Sequence, residues 1–374
     1  MNKKKVVVYG LGQAWESQKA DLERLFDIIG YCDKKVRDMD GFIRKEDLDA
    51  CNADYIYITS TKYCSEIEKE LEALRTETIS WKDIQGMVGS RFMEDNTDGL
   101  FPLSYRGKIS EVQLRRELVP MMGKKEYFGF FLKLYLWALE GMNIGAGTSP
   151  ETSGETNVLD FIGNRMGDGT LVLFDVGANV GEYTKLLLNY FGEKEVTIHS
   201  FEPSGITFET LERNVRGEKV ILNHVGLGKE KSEAILYYDR ENSGMASLYD
   251  RQLDYLGMEL SKKEKVRIIP LDEYCRENGI EKIDFLKMDV EGNELDVLQG
   301  AEHMLRESRI RSIQFEFGGA NLDSRTYFRD FWNLLHEKYT LYRILKDGLL
   351  PIVQYEECLD IFTCTNYFAV LKTL

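Results

Sequence analysis

The sequence predicts an α/β fold in two parts, a small unit with a half-Rossmann pattern and a larger unit built on a parallel sheet. Two segments, Leu171–Leu188 and Ile283–Leu305, predict the larger unit, because each has a short apolar run, a polar turn and then apolar residues at helical spacing. A shorter copy of the pattern starts at Val6. Strands that alternate with helices in this way form parallel sheets with helices on both faces.

The turn after the first apolar run of the larger unit has the composition of a ligand-binding turn. Gly177 and Gly181 lack Cβ atoms, so the backbone can approach a ligand and adopt left-handed angles. About 20 residues further on, Glu202 ends another apolar run, where a carboxylate can accept both hydroxyls of a ribose. The GxxxG spacing and the acidic Asp175 disfavour a pyrophosphate. S-adenosylmethionine, which carries adenosine and two positive charges, suits both acids. A generic turn with a structural aspartate is the alternative.

The second segment places three acids, Asp289, Glu291 and Glu294, at the start of a helix. Acids at this position stabilise a helix by about 0.3–1 kcal/mol each, so capping alone is one explanation. Lys287 favours a functional site, because an unpaired buried ammonium costs several kcal/mol and therefore needs Asp289 or another carboxylate beside it. An ion pair that merely braces the end of the strand stays open. A divalent metal is possible but not favoured, since the acids lie in one turn without a histidine.

These segments and several others resemble the FkbM-type methyltransferases, which are class I S-adenosylmethionine-dependent enzymes. The matching pieces, in chain order, are FDVGANVGEYT at Phe174–Thr184, FEP at Phe201–Pro203, LERNV at Leu211–Val215, VGLG at Val225–Gly228, SGMASL at Ser243–Leu248, LKMDVEGNELDVLQGA at Leu286–Ala301, FEF at Phe315–Phe317 and TNYFAVL at Thr365–Leu371. The resemblance implies a class I methyltransferase Rossmann-like domain, with a mostly parallel sheet and an antiparallel last strand at Tyr367–Leu371. The sequence also predicts added strands at Ala234–Tyr238 and Val266–Ile269, between the third and fourth main strands.

The resemblance also implies roles for individual residues. Four would line the methionine part of the cofactor: Asp175, Gly177, Asn179 and Gly181. Glu202 would hold the ribose, and Val225 and Gly226 would border the adenine. Asp289 and Glu291 would lie beside the methyl group and the acceptor, and Glu316 would point into the same pocket. Lys287, identified above from its place in a buried strand, completes the candidate catalytic group. The expected reaction is O-methylation of a sugar, a glycan precursor or a natural-product hydroxyl, with Lys287, Asp289 or Glu291 as the general base and no metal.

Two other functions remain open. The chain could be a non-catalytic protein that binds S-adenosylmethionine and recruits a partner, although such a protein would not need Asp289, Glu291 and Glu316. It could also be an NAD-dependent sugar oxidoreductase, but no Tyr-x-x-x-Lys pair or histidine base accompanies the first turn of the chain.

The N-terminal pattern departs from a dinucleotide-binding turn. Gly10 and Gly12 follow the strand Val6–Tyr9, and Asp33 takes the ribose position, but Trp15 replaces the third glycine and would crowd a pyrophosphate. The unit resembles small domains attached to bacterial glycan-modifying enzymes. Docking to a partner enzyme or homodimerisation is therefore favoured over nucleotide binding. The expected domains are residues 1–88, a helical connector and loop at 89–156, and the methyltransferase domain at 157–374.

The connector contains helical spacing over Leu114–Leu139 and a dense aromatic group. This group comprises Tyr127, Phe128, Phe130, Phe131, Tyr135 and Trp137. Packing in a core or over the mouth of the site is expected, with stacking on a sugar as the alternative. The Gly-, Ser- and Thr-rich loop Gly141–Thr156 is expected to close over bound ligands. Acceptor specificity is expected to lie in Asp250–Lys265 and Asn321–Phe328.

Composition narrows the class of protein. The net charge of −15 argues against a nucleic-acid surface. No apolar run reaches the roughly 18 residues of a membrane span, and the first residues lead from lysines directly into a strand, so secretion is not expected. The six cysteines contain no CxxC pair and the four histidines are far apart, which predicts reduced thiols in a cytoplasmic protein without a zinc motif.

Overall fold

The computed structural model describes residues 3–11, 15, 18–19, 22–23, 26–34, 39–60, 63–71, 74, 76–80, 111–145, 153–165 and 169–374. The chain divides into two compact units, whose described residues run up to Phe131 in the first and from Leu132 onward in the second. Gly12, the predicted boundary at residues 88 and 89, and residues 146–152 of the predicted closing loop lie outside the described residues.

The smaller unit contains a parallel sheet in the order β2-β1-β3-β4. Its strands are β1 Lys5–Tyr9, β2 Asp27–Cys32, β3 Tyr55–Ile58 and β4 Glu77–Ser80, and the helix Cys64–Leu71 lies between β3 and β4. Alternate residues of β1 are buried on opposite faces, Val6 and Val8 on one and Val7 and Tyr9 on the other, as in a parallel sheet covered on both sides. Trp15 belongs to the first of these cores and packs edge-on against Tyr31.

The predicted helical region at Leu114–Leu139 forms two helices, Glu111–Leu118 and Phe128–Gly141. Pro120 lacks a backbone N–H and Gly123 has a φ of +71°, and these residues lie between the two helices. The expected packing of the aromatic group is wrong for the second helix, since Phe128 and Trp137 are 70% and 65% exposed and Phe130 and Tyr135 are exposed as well. Among the described residues, Tyr127 and Phe131 are only half-buried.

The larger unit is built around an eight-stranded sheet in the order β14-β13-β15-β12-β11-β5-β6-β7. Its strands are β5 Leu171–Val176, β6 Val196–Phe201, β7 Val220–Asn223, β11 Phe285–Met288, β12 Ser312–Phe317, β13 Tyr339–Leu345, β14 Gly348–Ile352 and β15 Thr365–Leu371. The five strands from β12 to β7 are parallel, and β15 is antiparallel to β12. The predicted mostly parallel sheet with an antiparallel last strand is confirmed.

A second, three-stranded sheet follows β7 in the chain and has the order β8-β10-β9. Its strands are β8 Gly226–Leu227, β9 Ser232–Tyr238 and β10 Lys262–Ile269, so both added strands occur where they are expected. The segment between β9 and β10, residues 239–261, is called the insertion below.

Helices cover both faces of the large sheet and form two cores. They are Thr156–Arg165, Glu182–Phe191, Gly205–Asn214, Leu271–Glu277, Glu294–Gln299, Glu302–Arg306, Ala320–Ser324 and Phe328–Leu335. The predicted apolar stripe from Leu295 to Leu305 belongs to two short helices, which are separated at Gly300 and Ala301. Gly300 also lies against Gly228, since a Cβ there would be 2.0 Å from the Gly228 carbonyl oxygen. No helix among the described residues is long and apolar enough to cross a membrane.

Candidate functional site

A buried row of polar side chains crosses the centre of the large sheet. The register places Asp175 of β5 between Ser200 of β6 and Lys287 of β11, and Lys287 beside Gln314 of β12. Register partners in parallel strands point to the same face, so these side chains meet. The predicted Asp175 and Lys287 are therefore direct neighbours, which their separation in the sequence does not indicate.

Asp175 is fully buried, and both of its carboxylate oxygens face other protein groups. The Thr184 hydroxyl donates a 2.6 Å hydrogen bond to Oδ2, and Lys287 Nζ lies 3.7 Å from Oδ1. Burial raises the pKa of this carboxyl, against the opposing effect of Lys287. Thr184 and Lys287 thus hold the Asp175 side chain inside the sheet, and its Oδ1 has no hydrogen-bond partner among the described residues. Its expected place beside the cofactor stays a prediction.

Lys287 is 6% exposed and is surrounded by groups that stabilise its charge. Its Nζ lies 3.2 Å from Asp289 Oδ2 and 4.8 Å from the centre of the Tyr183 ring. Burial alone would lower the pKa of Lys287, but the combined attraction of Asp289, Asp175 and Glu155 outweighs it and raises the pKa above its ordinary value. Lys287 therefore stays protonated, which argues against it as a general base.

The turns after β5 and β11 are in direct contact. Gly177 has a φ of +81°, and a Cβ at this position would lie only 1.9 Å from the Asp289 carbonyl oxygen. The glycine is thus required by a backbone contact as well as by the left-handed angle. At Gly181 a side chain is excluded by a different contact. A Cβ there would lie 2.4 Å from Val215 and 2.7 Å from Leu211, where two helices pack together.

An open cavity lies beside these two turns. Six of the predicted site residues line it: Gly177, Asn179, Glu202, Gly226, Asp289 and Glu291. The other five, Asp175, Gly181, Val225, Lys287 and Glu316, are not among the lining residues. Val225 is buried in the main core, whereas its neighbour Gly226 and the apolar side chains of Leu227, Leu236 and Ile268 line the cavity.

Glu202 lies directly after β6 and forms one end of the cavity. Its Oε2 accepts a hydrogen bond from the backbone N–H of Asn179 at 3.0 Å, and its Oε1 accepts one from Ser204 at 2.9 Å. Burial nevertheless raises the pKa of Glu202 to about 7. Asn179 has a φ of +47°, and its buried Oδ1 has no hydrogen-bond partner among the described residues. This end of the cavity therefore offers a carboxylate and a free amide oxygen.

Three carboxylates come together beside the cavity, and two of them, Asp289 and Glu291, line it. One oxygen from each of Asp289, Glu291 and Glu316 lies within 4.8 Å of the others, a spacing close enough for a single metal ion. The structure brings Glu316 of β12 to the turn after β11. The expectation of no metal assumes that the acids all lie in one turn, and the cluster of Asp289, Glu291 and Glu316 does not fit that assumption. Burial, followed by repulsion among these acids, raises the pKa values of Glu291 and Glu316 to about 8.

Glu294, the third acid of that turn, has a structural role. It is 1% exposed, and its carboxylate accepts hydrogen bonds from the backbone N–H groups of Val290 and Gly292. These bonds fix the turn that carries Glu291, whose φ of +50° is left-handed. The hydrogen bonds of this acid therefore hold the turn before the helix rather than cap the helix itself.

Two further residues contact the site from the insertion. Arg251 donates a hydrogen bond to the Glu291 carboxylate, and the Ser247 hydroxyl donates one to the Glu291 carbonyl oxygen at 2.7 Å. Sequence reasoning identified the segment Asp250–Lys265 but not Arg251 itself. The one available signal is an arginine just beyond the SGMASL match. That signal is weak, because the sequence does not show that this arginine pairs with a distant acid.

Both parts of the chain match models of known protein families. Residues 175–343 match the family model of the methyltransferase FkbM domain, and residues 2–79 match the model described as C2185-like, N-terminal. The first match includes both turns, Glu202, the insertion and β12.

Three relatives and structures illustrate the similarity. Methyltransferase 1 of Beauveria bassiana (strain ARSEF 2860) is 27% identical over 146 residues, which are 35% of this chain and 58% of the relative. The 31-O-demethyl-FK506 methyltransferase FkbM of Streptomyces tacrolimicus is 26% identical over 156 residues, 35% of this chain and 59% of the relative. The chain thus spans about three fifths of the length of these curated relatives. The crystal structure of methyltransferase FkbM from Methylobacillus flagellatus KT is 13% identical, covers 98% of this chain and 90% of its own, and has a TM-score of 0.32.

The family model matches the part of the chain that carries the cavity and the carboxylates, and the strand order agrees with the architecture that the sequence predicts. The chain therefore contains a methyltransferase FkbM domain at residues 175–343, within a unit that has the class I methyltransferase fold.

Proposed function

We propose that the protein is an S-adenosylmethionine-dependent O-methyltransferase that acts on a hydroxyl of a sugar, a glycan precursor or another natural product. The observation that carries the proposal is one cavity lined both by Glu202 and by the carboxylates of Asp289 and Glu291. We assign Glu202 to the cofactor end and the other two to the acceptor end. A relative named 31-O-demethyl-FK506 methyltransferase supports oxygen as the methylated atom.

The residues around the cavity fit S-adenosylmethionine. Glu202 would accept the two ribose hydroxyls, and the free Oδ1 of Asn179 would accept a hydrogen bond from the cofactor. Leu227, Leu236 and Ile268 offer an apolar surface for adenine. No lysine or arginine among the described residues lines the cavity, which favours a cofactor without phosphate.

The protein's task is to position the acceptor and to remove its proton. When bound, S-adenosylmethionine supplies a methyl group that its sulfonium already activates. Holding the acceptor oxygen at near-attack distance is worth roughly 7–11 kcal/mol of the barrier. Glu291 lines the cavity and its pKa of about 8 is near neutral pH, which suits a base that takes the hydroxyl proton. Lys287 instead holds Asp289 and Asp175 in place.

The arrangement of charges favours an acceptor without phosphate. Asp289, Glu291 and Glu316 meet at the acceptor end, and the two neighbouring cations, Lys287 and Arg251, are already paired with acids. Carboxylates accept hydrogen bonds from hydroxyls but repel anions. Sugars and oligosaccharides are therefore the first acceptors to test.

Calorimetry with S-adenosylmethionine and with NAD, followed by a methyl-transfer screen over nucleotide sugars and oligosaccharides, tests the function. Binding of S-adenosylmethionine alone and transfer to a neutral sugar hydroxyl are expected. Cofactor binding without turnover on any acceptor would favour the alternative, a non-catalytic protein that recruits a partner. Binding of NAD in the cavity would contradict the proposal.

The affinity for S-adenosylmethionine is expected to fall as the pH is lowered through about 7, the pKa of Glu202. Protonation removes the charge that accepts the ribose hydroxyls, so the carboxylate form binds more tightly and affinity should level off above this pH. Calorimetric titrations between pH 5.5 and 8.5 measure the effect. An affinity that is constant over this range would mean that Glu202 does not contact the cofactor in its charged form.

Treatment with EDTA is expected to leave methyl transfer unchanged, because Arg251 and Lys287 already compensate two of the acids at the acceptor end. The measurement is turnover before and after chelation, with Mg²⁺ or Mn²⁺ added back. A loss that either ion restores would show that Asp289, Glu291 and Glu316 hold a metal.

We propose that residues 1–88 form a docking or dimerisation domain, joined by residues 89–156 to the methyltransferase domain at 157–374. Trp15 is buried in the core of the smaller unit, and the Leu11 N–H, at the start of its turn, donates to Asp33 at 2.8 Å. Both features disfavour a pyrophosphate there. The mass of the protein in solution, measured alone and with candidate partner enzymes, tests the proposal. The cytoplasmic location stays a prediction.

A further inference from the structure

Arg251 links two elements at the acceptor end of the cavity. It lies in the insertion, its side chain is only 5% exposed, and its guanidinium pairs with Glu291 of the turn after β11. Its Nε lies 3.5 Å from Asp323 Oδ2, in the helix Ala320–Ser324, close enough for an ion pair, although this buried Nε has no hydrogen-bond partner among the described residues. One side chain therefore joins the turn that carries the proposed base to the segment that follows β12.

The insertion contacts Glu291 at two points. The Ser247 hydroxyl binds the backbone carbonyl of Glu291, and Arg251 binds its carboxylate. The backbone of Glu291 is in the left-handed region, where a residue with a side chain is strained and persists only if its surroundings hold it. These two contacts supply part of that support, and only the one from Arg251 orients the carboxylate.

The chemistry of the guanidinium suits this position. Its planar fork of N–H donors can serve two carboxylates at once, whereas a lysine offers a single point of charge. The side chain is buried among Glu291, Asp323 and the backbone at Gly319, where a Cβ would lie 3.8 Å from the Arg251 terminal nitrogen. Removing one partner of a buried ion pair leaves the other charge uncompensated, so the carboxylate would move or lose its charge.

We propose that Arg251 is a positioning residue, which holds the Glu291 carboxylate in the cavity and ties it to the helix Ala320–Ser324. The proposal rests on the proposed function, since Glu291 acts there on the acceptor hydroxyl. It assigns to the insertion a part in catalysis, through Arg251, in addition to the expected part in acceptor choice.

The test compares Arg251→Gln, Arg251→Lys, Glu291→Gln and the double variant Arg251→Gln/Glu291→Gln by kcat, acceptor KM and calorimetry with S-adenosylmethionine. Arg251→Gln is expected to lower kcat by about 10²-fold, the loss that a misplacement of about 1 Å can cause, with cofactor affinity unchanged. Arg251→Lys should recover part of the loss, because it keeps the charge. In the Glu291→Gln background, Arg251→Gln should lower kcat by less than about twofold further, because residues that act as a unit are not additive.

Arg240→Gln is the matched control, since Arg240 lies in the same insertion with its side chain 78% exposed. A kcat for Arg251→Gln equal to the wild type, or losses that multiply in the double variant, would overturn the proposal. Thermal unfolding monitors the fold of each variant. If both Arg251 variants are unfolded, the proposal is also overturned, because Arg251 would then serve only the stability of the fold. If the wild type transfers no methyl group to any acceptor, the proposed function itself fails, which is a separate outcome.

Discussion

Glu291→Gln is expected to lower kcat for methyl transfer by about 10²–10⁴-fold, the usual contribution of a general base. The glutamine keeps the size of the side chain but cannot take up the acceptor's proton. The affinity for S-adenosylmethionine should stay the same, because Glu202 and Asn179 lie at the other end of the cavity. Initial rates at saturating cofactor, together with calorimetry, provide the measurement.

Glu302→Gln is the control for this variant, because Glu302 is an exposed acid on the helix Glu302–Arg306. A rate equal to the wild type for Glu291→Gln would refute Glu291 as the base. In that case Glu316→Gln decides whether the neighbouring carboxylate on β12 takes the proton, since its pKa is raised to a similar value of about 8.

Glu202→Ala is expected to weaken S-adenosylmethionine binding by about 10²-fold or more, since each hydrogen bond to a charged group contributes about 1.5–3 kcal/mol. The substitution removes the acceptor for the ribose hydroxyls and also the partner of the Asn179 and Ser204 N–H groups. Calorimetric titration of the folded variant gives the dissociation constant.

The exposed Glu212 on the helix Gly205–Asn214 provides the matched control, as Glu212→Ala. Because Glu202→Ala also loosens the turn around Asn179, Glu202→Gln is measured beside it, and it should weaken binding to a smaller degree. An unchanged dissociation constant for Glu202→Ala would rule out the ribose assignment.

The fold of the larger unit and the positions of Gly177, Glu202 and Asp289 follow from local sequence patterns. A buried strand that leads into a glycine turn and a helix must place the turn at the carboxyl edge of a parallel sheet, so Gly177, Glu202 and Asp289 meet there. Such inferences need only the order of the elements. The place of Glu316 is instead implied by the family resemblance, and in the structure it depends on the pairing of β12 with β11.

Other features depend on contacts between distant residues, which no local pattern encodes. The direction of the Asp175 side chain depends on the register that sets it beside Lys287 and on Thr184, one turn into the next helix. The contact of Arg251 with Glu291 depends on how the insertion folds back over the site. Aromatic residues on the helix Phe128–Gly141 predict packing by composition, but the structure exposes Phe128 and Trp137.

The contact between Gly177 and the Asp289 carbonyl has a consequence for how the pocket could evolve. There is no space for even a methyl group between the two turns, so a side chain at position 177 would force them apart. Under the proposed function these turns border the donor and the acceptor, and the main chain thus sets the distance over which the methyl group is transferred. Exchanging side chains along the rim can thus change which molecule is accepted while the reach of the transfer stays constant. A domain with this contact could accept many different acceptors while its main-chain geometry stays the same.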